Sequence, residues 1–157
     1  MFALLRRFLD FQAFLVWQGG FLFYAAVVVP IGTEVLGGPF EQGRVTQSVT
    51  VWLNLIGIIW HPVLAWDALA TRPFRRGRLA LIATSAAILA ALFVQHANLD
   101  RMLDPSRSNG LGEDFYSQHA IYLWLSAAHW FLGLISAWLT LTAWRKRDGM
   151  TSVIAPI

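Results

Sequence analysis

The chain contains no cysteine, and only 13% of its 157 residues are charged. The missing thiols exclude disulfide bonds and thiolate metal sites. Soluble domains carry roughly a quarter charged residues, so half that share, gathered in a few clusters, indicates a multi-pass membrane protein. The three methionines lie outside the long hydrophobic stretches, which leaves no sulfur ligand for Cu(I) within a membrane segment.

Recognisable catalytic motifs are also missing. The sequence has no glycine-rich phosphate loop, no Ser-His-Asp arrangement and no nucleophile–base pair that its spacing would identify, so we predict no catalytic residue. The net charge of +3 comes from basic residues at the ends of the hydrophobic stretches, where membrane topology explains them. We therefore expect the lipid bilayer as a partner, and no nucleic acid.

Four hydrophobic stretches dominate the sequence, and each is about as long as the roughly 20 residues that cross a bilayer as a helix. Short connections between them place neighbouring helices antiparallel, so we predict an all-α integral membrane protein, an antiparallel four-helix transmembrane bundle. The glycine-rich segment Gly32–Gln47 is predicted to form irregular turns. A single transmembrane domain covers residues 1–157, with predicted helices over residues 11–33, 48–69, 79–97 and 117–144.

The basic residues also predict the orientation of the bundle. Nine of them flank the two chain ends and the loop between the second and third helices, against three on the other side. The positive-inside rule then places both termini in the cytoplasm, N-in and C-in, in the bacterial cytoplasmic (inner) membrane. Asp67 is predicted to form a local ion pair with Arg72 or Arg75 on that side. The turn signals Asp104-Pro105 and Ser108-Asn109-Gly110 are expected outside.

The fourth stretch carries a stripe of polar and small residues at helical spacing. On an α-helix such a stripe forms one continuous seam, which in a bilayer faces protein rather than lipid. The second stretch carries a similar seam, so we expect the two seams to face each other inside the bundle. The stripe consists of His119, Tyr122, Ser126, His129, Gly133, Ser136 and Thr140, and the second seam of Thr50, Asn54, Gly57 and His61.

His61 and His129 fall in the middle third of the membrane, offset in depth by roughly 5–10 Å at about 1.5 Å of rise per residue. In a structural interpretation they hydrogen-bond across the helices, with Gln18 and Asn54 as partners. In a functional interpretation they bind a cofactor, ion or polar substrate, and haem b with both histidines as axial ligands is one form of it. The predicted interior polar seam comprises Gln18, Asn54, His61, His119, Tyr122, Ser126 and His129.

A second candidate site is predicted at the outer surface. His96 closes the third helix with Asp100 one turn later, His119 opens the fourth helix, and Glu34 ends the first. Two imidazoles with one or two carboxylates form a donor set for a divalent metal such as Zn²⁺ or Cu²⁺. The competing interpretation is that these groups are solvated at the membrane surface. A divalent metal is the first cofactor to consider, ahead of haem b.

Two groups of residues resemble a known family. Phe115-Tyr116-x-x-His119-x-x-Tyr122-Leu123-Trp124 resembles the last helix of small bacterial proteins related to eukaryotic transmembrane protein 205. Trp17-x-Gly19-Gly20-x-x-Phe23, with Gln42-Gly43-Arg44, resembles the first helix and outer loop of that family. In outline the chain is also similar to the copper-resistance D group of membrane proteins. The resemblance implies a four-helix membrane fold and a link to metal handling, within a domain of unknown function.

We therefore expect a small integral membrane protein that binds or translocates a metal ion, a proton or a small polar solute through its histidine-containing interior. The alternative hypothesis is a non-catalytic accessory subunit or assembly factor of a larger membrane complex. Eight tryptophans would provide the aromatic surface for such a role. The partners would then be other membrane subunits or a second copy of the chain. Stoichiometric co-purification from native membranes distinguishes the two hypotheses.

Overall fold

The computed structural model describes residues 1–36, 39–102 and 113–154, and over these residues every long element is a helix. The turn signals Asp104-Pro105 and Ser108-Asn109-Gly110 lie outside the described residues. Four helices are long and apolar enough to cross a membrane, which confirms the all-helical part of the predicted fold. They are α1 (Phe2–Val35), α2 (Pro39–Ala70), α3 (Arg75–Met102) and α4 (Glu113–Ile154).

Each helix extends beyond the hydrophobic stretch that predicted it, because hydrophobicity marks the part suited to hydrocarbon and not the end of the helical backbone. Helix α4 begins at Glu113, whose carboxylate stabilises the positive end of the helix dipole. Helix α2 begins at Pro39, a residue suited to the first helical turn, and has Glu41 in that turn. The prediction of irregular turns over Gly32–Gln47 is therefore wrong for most of that range.

Helix α1 contains one π-helical turn at Tyr24–Val28. Pro30 follows this turn and has no backbone N–H to donate to the carbonyl of Ala26, four residues earlier. A wider turn at this place accommodates the proline ring without ending the helix. Tyr24, the first residue of the turn, is buried.

Contacts between helix ends show an antiparallel arrangement. At one end, Asp67 near the end of α2 binds Arg6 near the start of α1 and Arg78 near the start of α3. At the other end, Gln95 near the end of α3 donates to Gln118 near the start of α4. Each helix packs against the next in sequence, and α1 also packs against α4. The four helices form an up-down-up-down ring, and we call the end that holds Arg6 the arginine end.

The bundle buries polar residues and exposes apolar ones. Among the described residues, buried polar side chains outnumber buried apolar side chains. In contrast, Trp52, Trp124 and Trp138 are 67%, 77% and 72% exposed. Large exposed apolar patches are rare on soluble monomers, whereas lipid tails solvate them well. The distribution fits a helix bundle in a bilayer.

Two tryptophans form the centre of the apolar core. Trp17 of α1 and Trp60 of α2 are both buried, and their rings stack with centroids 4.7 Å apart. Trp17 also contacts His129 edge to face, with ring centroids 4.5 Å apart. The stack therefore lies directly beside the polar stripe of α4. Leu64, Ala68 and Ile82 are buried beside the stack, and Leu92, Leu99 and Tyr122 form a second buried cluster.

Gly133 allows α4 to approach α1 and α2. A Cβ atom at this position would lie 2.8 Å from Gln18 Oε1, 3.0 Å from Trp17 and 3.3 Å from Trp60. We expect Gly133→Ala to lower the free energy of unfolding by about 1–3 kcal/mol, because the stacked tryptophans have no room to move away. Equilibrium unfolding in detergent micelles measures the change.

Gly19→Ala is the matched control for this substitution. Position 19 is also helical, but nothing lies within 4 Å of the added Cβ atom. Alanine is a better helix former than glycine, so this variant should be at least as stable as the parent protein. Equal stability of the Gly133 and Gly19 variants would contradict the close approach of α4.

Candidate functional site: a buried polar column

The polar stripe of α4 lies in the interior of the bundle, as its spacing predicts. Five members of the stripe are only 2–7% exposed. His119, the first residue of the stripe, is half-buried near the start of α4 and stacks on Phe115 with ring centroids 5.9 Å apart. Polar side chains from the other three helices join the buried part of the stripe. We call the whole set the polar column: Tyr122, Ser126, His129, Ser136 and Thr140 of α4, with Gln18, Asn54, His61, Asp67, Arg78 and Ser85.

His61 and His129 lie at the centre of the polar column. Their imidazole rings are parallel within 4° and their centroids are 5.5 Å apart. The two rings therefore contact each other despite the offset in depth that the helix rise predicts. Trp60 and Trp17 pack against the edges of the pair. The structure thus brings together the two histidines that sequence spacing singled out.

Both ring nitrogens of His61 have partners within the protein. Nδ1 lies 2.7 Å from the carbonyl oxygen of Gly57, and Nε2 lies 3.1 Å from Oγ of Ser85. Because a carbonyl oxygen only accepts, Nδ1 carries the hydrogen, and Nε2 of the neutral ring accepts from the serine hydroxyl. If Nε2 gains a proton, it donates to Ser85 Oγ instead. His61 therefore keeps both partners in either protonation state.

Gln18 and Asn54 do not hydrogen-bond to the histidines, in contrast to the structural interpretation of the sequence. The Gln18 amide donates to the backbone carbonyl of Trp130 at 3.2 Å. The Asn54 amide donates to the Tyr122 hydroxyl at 3.4 Å. That hydroxyl also faces Thr50, which extends the polar column toward the end opposite the arginine end. The seams of α2 and α4 do meet, but through other pairs than expected.

Three buried polar atoms in the interior of the bundle have no hydrogen-bond partner among the described residues. They are His129 Nε2, Gln18 Oε1 and Trp60 Nε1, so the set contains a donor, an acceptor and a nitrogen that serves as either. An unpaired buried polar group costs about 1–3 kcal/mol, and buried groups of this kind are normally bound to water or to a ligand. Water or a small polar species bound at these atoms would remove that cost.

The predicted outer metal site is not assembled in the described part of the chain. His96 Nδ1 lies 3.1 Å from Asp100 Oδ2, and its Nε2 donates to the carbonyl of Gln47 at 3.0 Å. Glu34 is exposed at the end of α1, and His119 stacks on a phenylalanine. The described residues contain no group of three or more histidine, aspartate or glutamate side chains that could hold a metal ion.

The histidine pair does not fit the axial ligation of haem b. Axial ligands direct one nitrogen each toward an iron between them. Here the rings of His61 and His129 stack by their faces, and both nitrogens of His61 are bound to Gly57 and Ser85. We derive no chemistry through a haem group.

A buried charged cluster occupies the arginine end of the polar column. The Asp67 carboxylate is 0% exposed and accepts from Arg6 Nε at 2.7 Å, from Arg78 Nη2 at 2.5 Å and from Trp144 Nε1 at 3.0 Å. Arg78 also donates to the Thr140 hydroxyl at 3.0 Å. One carboxylate thus joins all four helices.

The predicted ion pair of Asp67 with Arg72 or Arg75 is wrong. Arg72 is exposed, and Arg75 donates to the backbone carbonyl of Leu69. The carboxylate instead binds Arg78, which lies one turn further along α3 on its buried face, and an arginine 61 residues away on α1. Proximity in sequence did not identify these partners, because the fold directs the aspartate inward.

Several site residues were not identified from the sequence. Ser85 lies in a stretch of small residues with no distinguishing pattern, and Arg6 was assigned to membrane topology alone. Asp10, which was also not singled out from the sequence, is buried beside the charged cluster. The spacing of Arg6, Asp10 and Trp17 by four and seven residues places all three on one face of α1, and this signal could have identified them.

Comparison of the chain with protein-family models, with curated proteins and with solved structures finds no match. The resemblance to the transmembrane protein 205 group therefore stays a prediction, and the function is inferred from the geometry of the polar column.

Proposed function

We propose that this protein is a multi-pass membrane protein that conducts protons across the bilayer along the polar column. The observation that carries the proposal is the stacked pair of His61 and His129, together with three buried polar atoms that find no hydrogen-bond partner among the described residues: His129 Nε2, Gln18 Oε1 and Trp60 Nε1. Polar and ionisable residues inside a membrane are costly, and they commonly mark ion pathways and proton relays.

The spacing of the column supports a relay of short steps. Successive polar positions on α4 are three or four residues apart, which is about 4.5–6 Å along the helix axis. Gly133 has no side chain to continue the series, but the Gln18 carboxamide fills this position from α1. Neighbouring polar groups at such distances are readily joined by one water molecule. The positions in order are Tyr122, Ser126, His129, Gly133 with Gln18, Ser136 and Thr140.

The protonation chemistry of His61 favours a proton over a metal ion. His61 exchanges a proton at Nε2 without losing either hydrogen-bond partner, because the Ser85 hydroxyl both donates and accepts. A metal ion would instead have to displace Ser85, and no third ligand of the described chain lies near. Two positive imidazolium rings this close repel each other, so the pair passes protons one at a time.

The proposed orientation follows from the distribution of basic residues. The positive-inside rule places the arginine end on the cytoplasmic side, and we propose the bacterial cytoplasmic membrane as its location. Protons would then enter near Tyr122 and leave near the charged cluster, or travel the reverse way.

Proton flux into liposomes tests the proposal. The purified protein is reconstituted with a pH-sensitive dye inside the vesicles, and a potassium gradient with valinomycin sets the membrane potential. We expect faster proton uptake than in protein-free vesicles. His129→Phe and His61→Phe should each reduce the rate about tenfold or more, because phenylalanine preserves the aromatic packing and removes the exchangeable proton.

His119→Phe is the matched control, because this histidine lies outside the polar column and already stacks on an aromatic ring. Its proton flux should equal that of the parent protein. Unchanged flux in both column variants would overturn the proposal. Flux no faster than in empty vesicles would also overturn it and would favour the hypothesis of an accessory subunit.

A further inference from the structure

Asp10 of α1 is a buried carboxylate that the polar column described above does not include. It is 3% exposed, and its Oδ1 atom has no hydrogen-bond partner among the residues that the structure describes. The charged groups that face it are Arg6 on its own helix, Asp67 on α2 and Arg78 on α3. Helix α4 contributes the uncharged side chains of Thr140 and Trp144 to the same cluster.

The two carboxylates of the cluster have different surroundings. Asp67 accepts hydrogen bonds from two guanidinium groups and one indole, which satisfy its negative charge. Asp10 lies next to these charges, but no donor from the described part of the chain reaches its Oδ1 atom. A buried carboxylate without donors is costly, and addition of a proton to an oxygen removes the charge that causes the cost. Two carboxylates in one site commonly take separate roles for this reason.

Protonation of Asp10 would change the net charge of the cluster by one unit. With both aspartates ionised, the two negative charges of Asp10 and Asp67 balance the two positive charges of the arginines Arg6 and Arg78. With Asp10 protonated, the cluster carries one net positive charge, and Arg78 Nε and Nη1 have no hydrogen-bond partner among the described residues. A metal cation at Asp10 is disfavoured by the two arginines, whereas a proton adds as a covalent O–H bond on the carboxylate.

We propose that Asp10 is a proton-binding site at the arginine end, which takes up and releases one proton while Asp67 stays ionised. On uptake an O–H bond forms at a carboxylate oxygen of Asp10 and one hydronium ion becomes water; release is the reverse. Asp10 then serves as the terminal proton acceptor of the column, and this role rests on the proposed function. The proton site itself does not depend on proton conduction.

Infrared spectroscopy of the full-length protein in liposomes tests the site. A reversible pH change should produce the C=O stretch of a protonated carboxyl group, shifted in D₂O. Asp10→Asn should lack this band and stay folded, because asparagine has the shape of the neutral acid. Asp148→Asn, which removes an exposed aspartate of the same end, should keep the band. A band of unchanged size in Asp10→Asn would overturn the proposal.

A second variant and a flux measurement separate this proposal from the proposed function. Should Asp10→Asn fail to fold, Asp10→Glu keeps the carboxyl group and should move the band, and an unmoved band would overturn the proposal. In the liposome assay we expect Asp10→Asn to reduce proton flux about tenfold or more. A band assigned to Asp10 in vesicles that conduct no protons would refute the conduction role and leave the proton site standing.

Discussion

Asp67→Ala is expected to lower the free energy of unfolding by about 3–5 kcal/mol, the largest loss among the substitutions considered. The change leaves the guanidinium groups of Arg6 and Arg78 in the interior without their anion. The Asp67 side chain is 0% exposed and that of Arg78 is 1% exposed, so water cannot replace the lost partner. Trp144 loses its acceptor as well. The loss is measured by reversible unfolding in mixed micelles, followed by circular dichroism.

Asp148→Ala is the matched control for the loss of an ion pair. Asp148 binds Arg7 of α1 through two hydrogen bonds of 2.6 and 2.9 Å, but its side chain is 60% exposed. Solvent replaces such a partner at little cost, so we expect no measurable change in stability. Similar losses of unfolding free energy for Asp67→Ala and Asp148→Ala would show that burial does not explain the contribution of the charged cluster to stability.

Trp60→Ala is expected to lower the free energy of unfolding by about 3 kcal/mol. This value is at the lower end of the range for replacing a large aromatic residue by alanine in the core of a soluble protein. In a bilayer the transfer of apolar surface from water contributes little, so the loss comes from packing around the cavity. The Trp60 ring stacks on Trp17 and lies against the rings of His61 and His129. The same unfolding measurement detects the loss.

Trp138→Ala provides the comparison, because Trp138 is one of the exposed aromatic residues of α4. In a bilayer or a micelle, acyl chains would fill the space of the missing ring, so we expect the unfolding free energy of this variant to stay close to that of the parent protein. A loss of unfolding free energy in Trp138→Ala as large as that in Trp60→Ala would instead indicate that this face of α4 packs against another protein. That result would support the accessory-subunit hypothesis.

The sequence by itself determined the four apolar helices and the inward direction of the α4 stripe. Hydrophobic length is a local property, since a bilayer-spanning helix needs roughly 20 apolar residues in a row. The spacing of Tyr122, Ser126 and His129 is equally local, because the period of the helix places these residues on one face. Helix ends were less well predicted, as the early start of α2 at Pro39 shows, because backbone helix continues into polar sequence.

Only the tertiary structure decided which polar groups meet. The pairing of Asp67 with Arg6 joins residues 61 positions apart, and no helical period relates one helix to another. The position of the Gln18 carboxamide beside Gly133 likewise depends on how closely α1 and α4 pack. Burial of Asp10 also depends on the packing of α1 against its neighbours, which the local sequence of α1 does not specify. Local periodicity sets the face of each helix, whereas the relative rotation and depth of four helices set the contacts across the bundle.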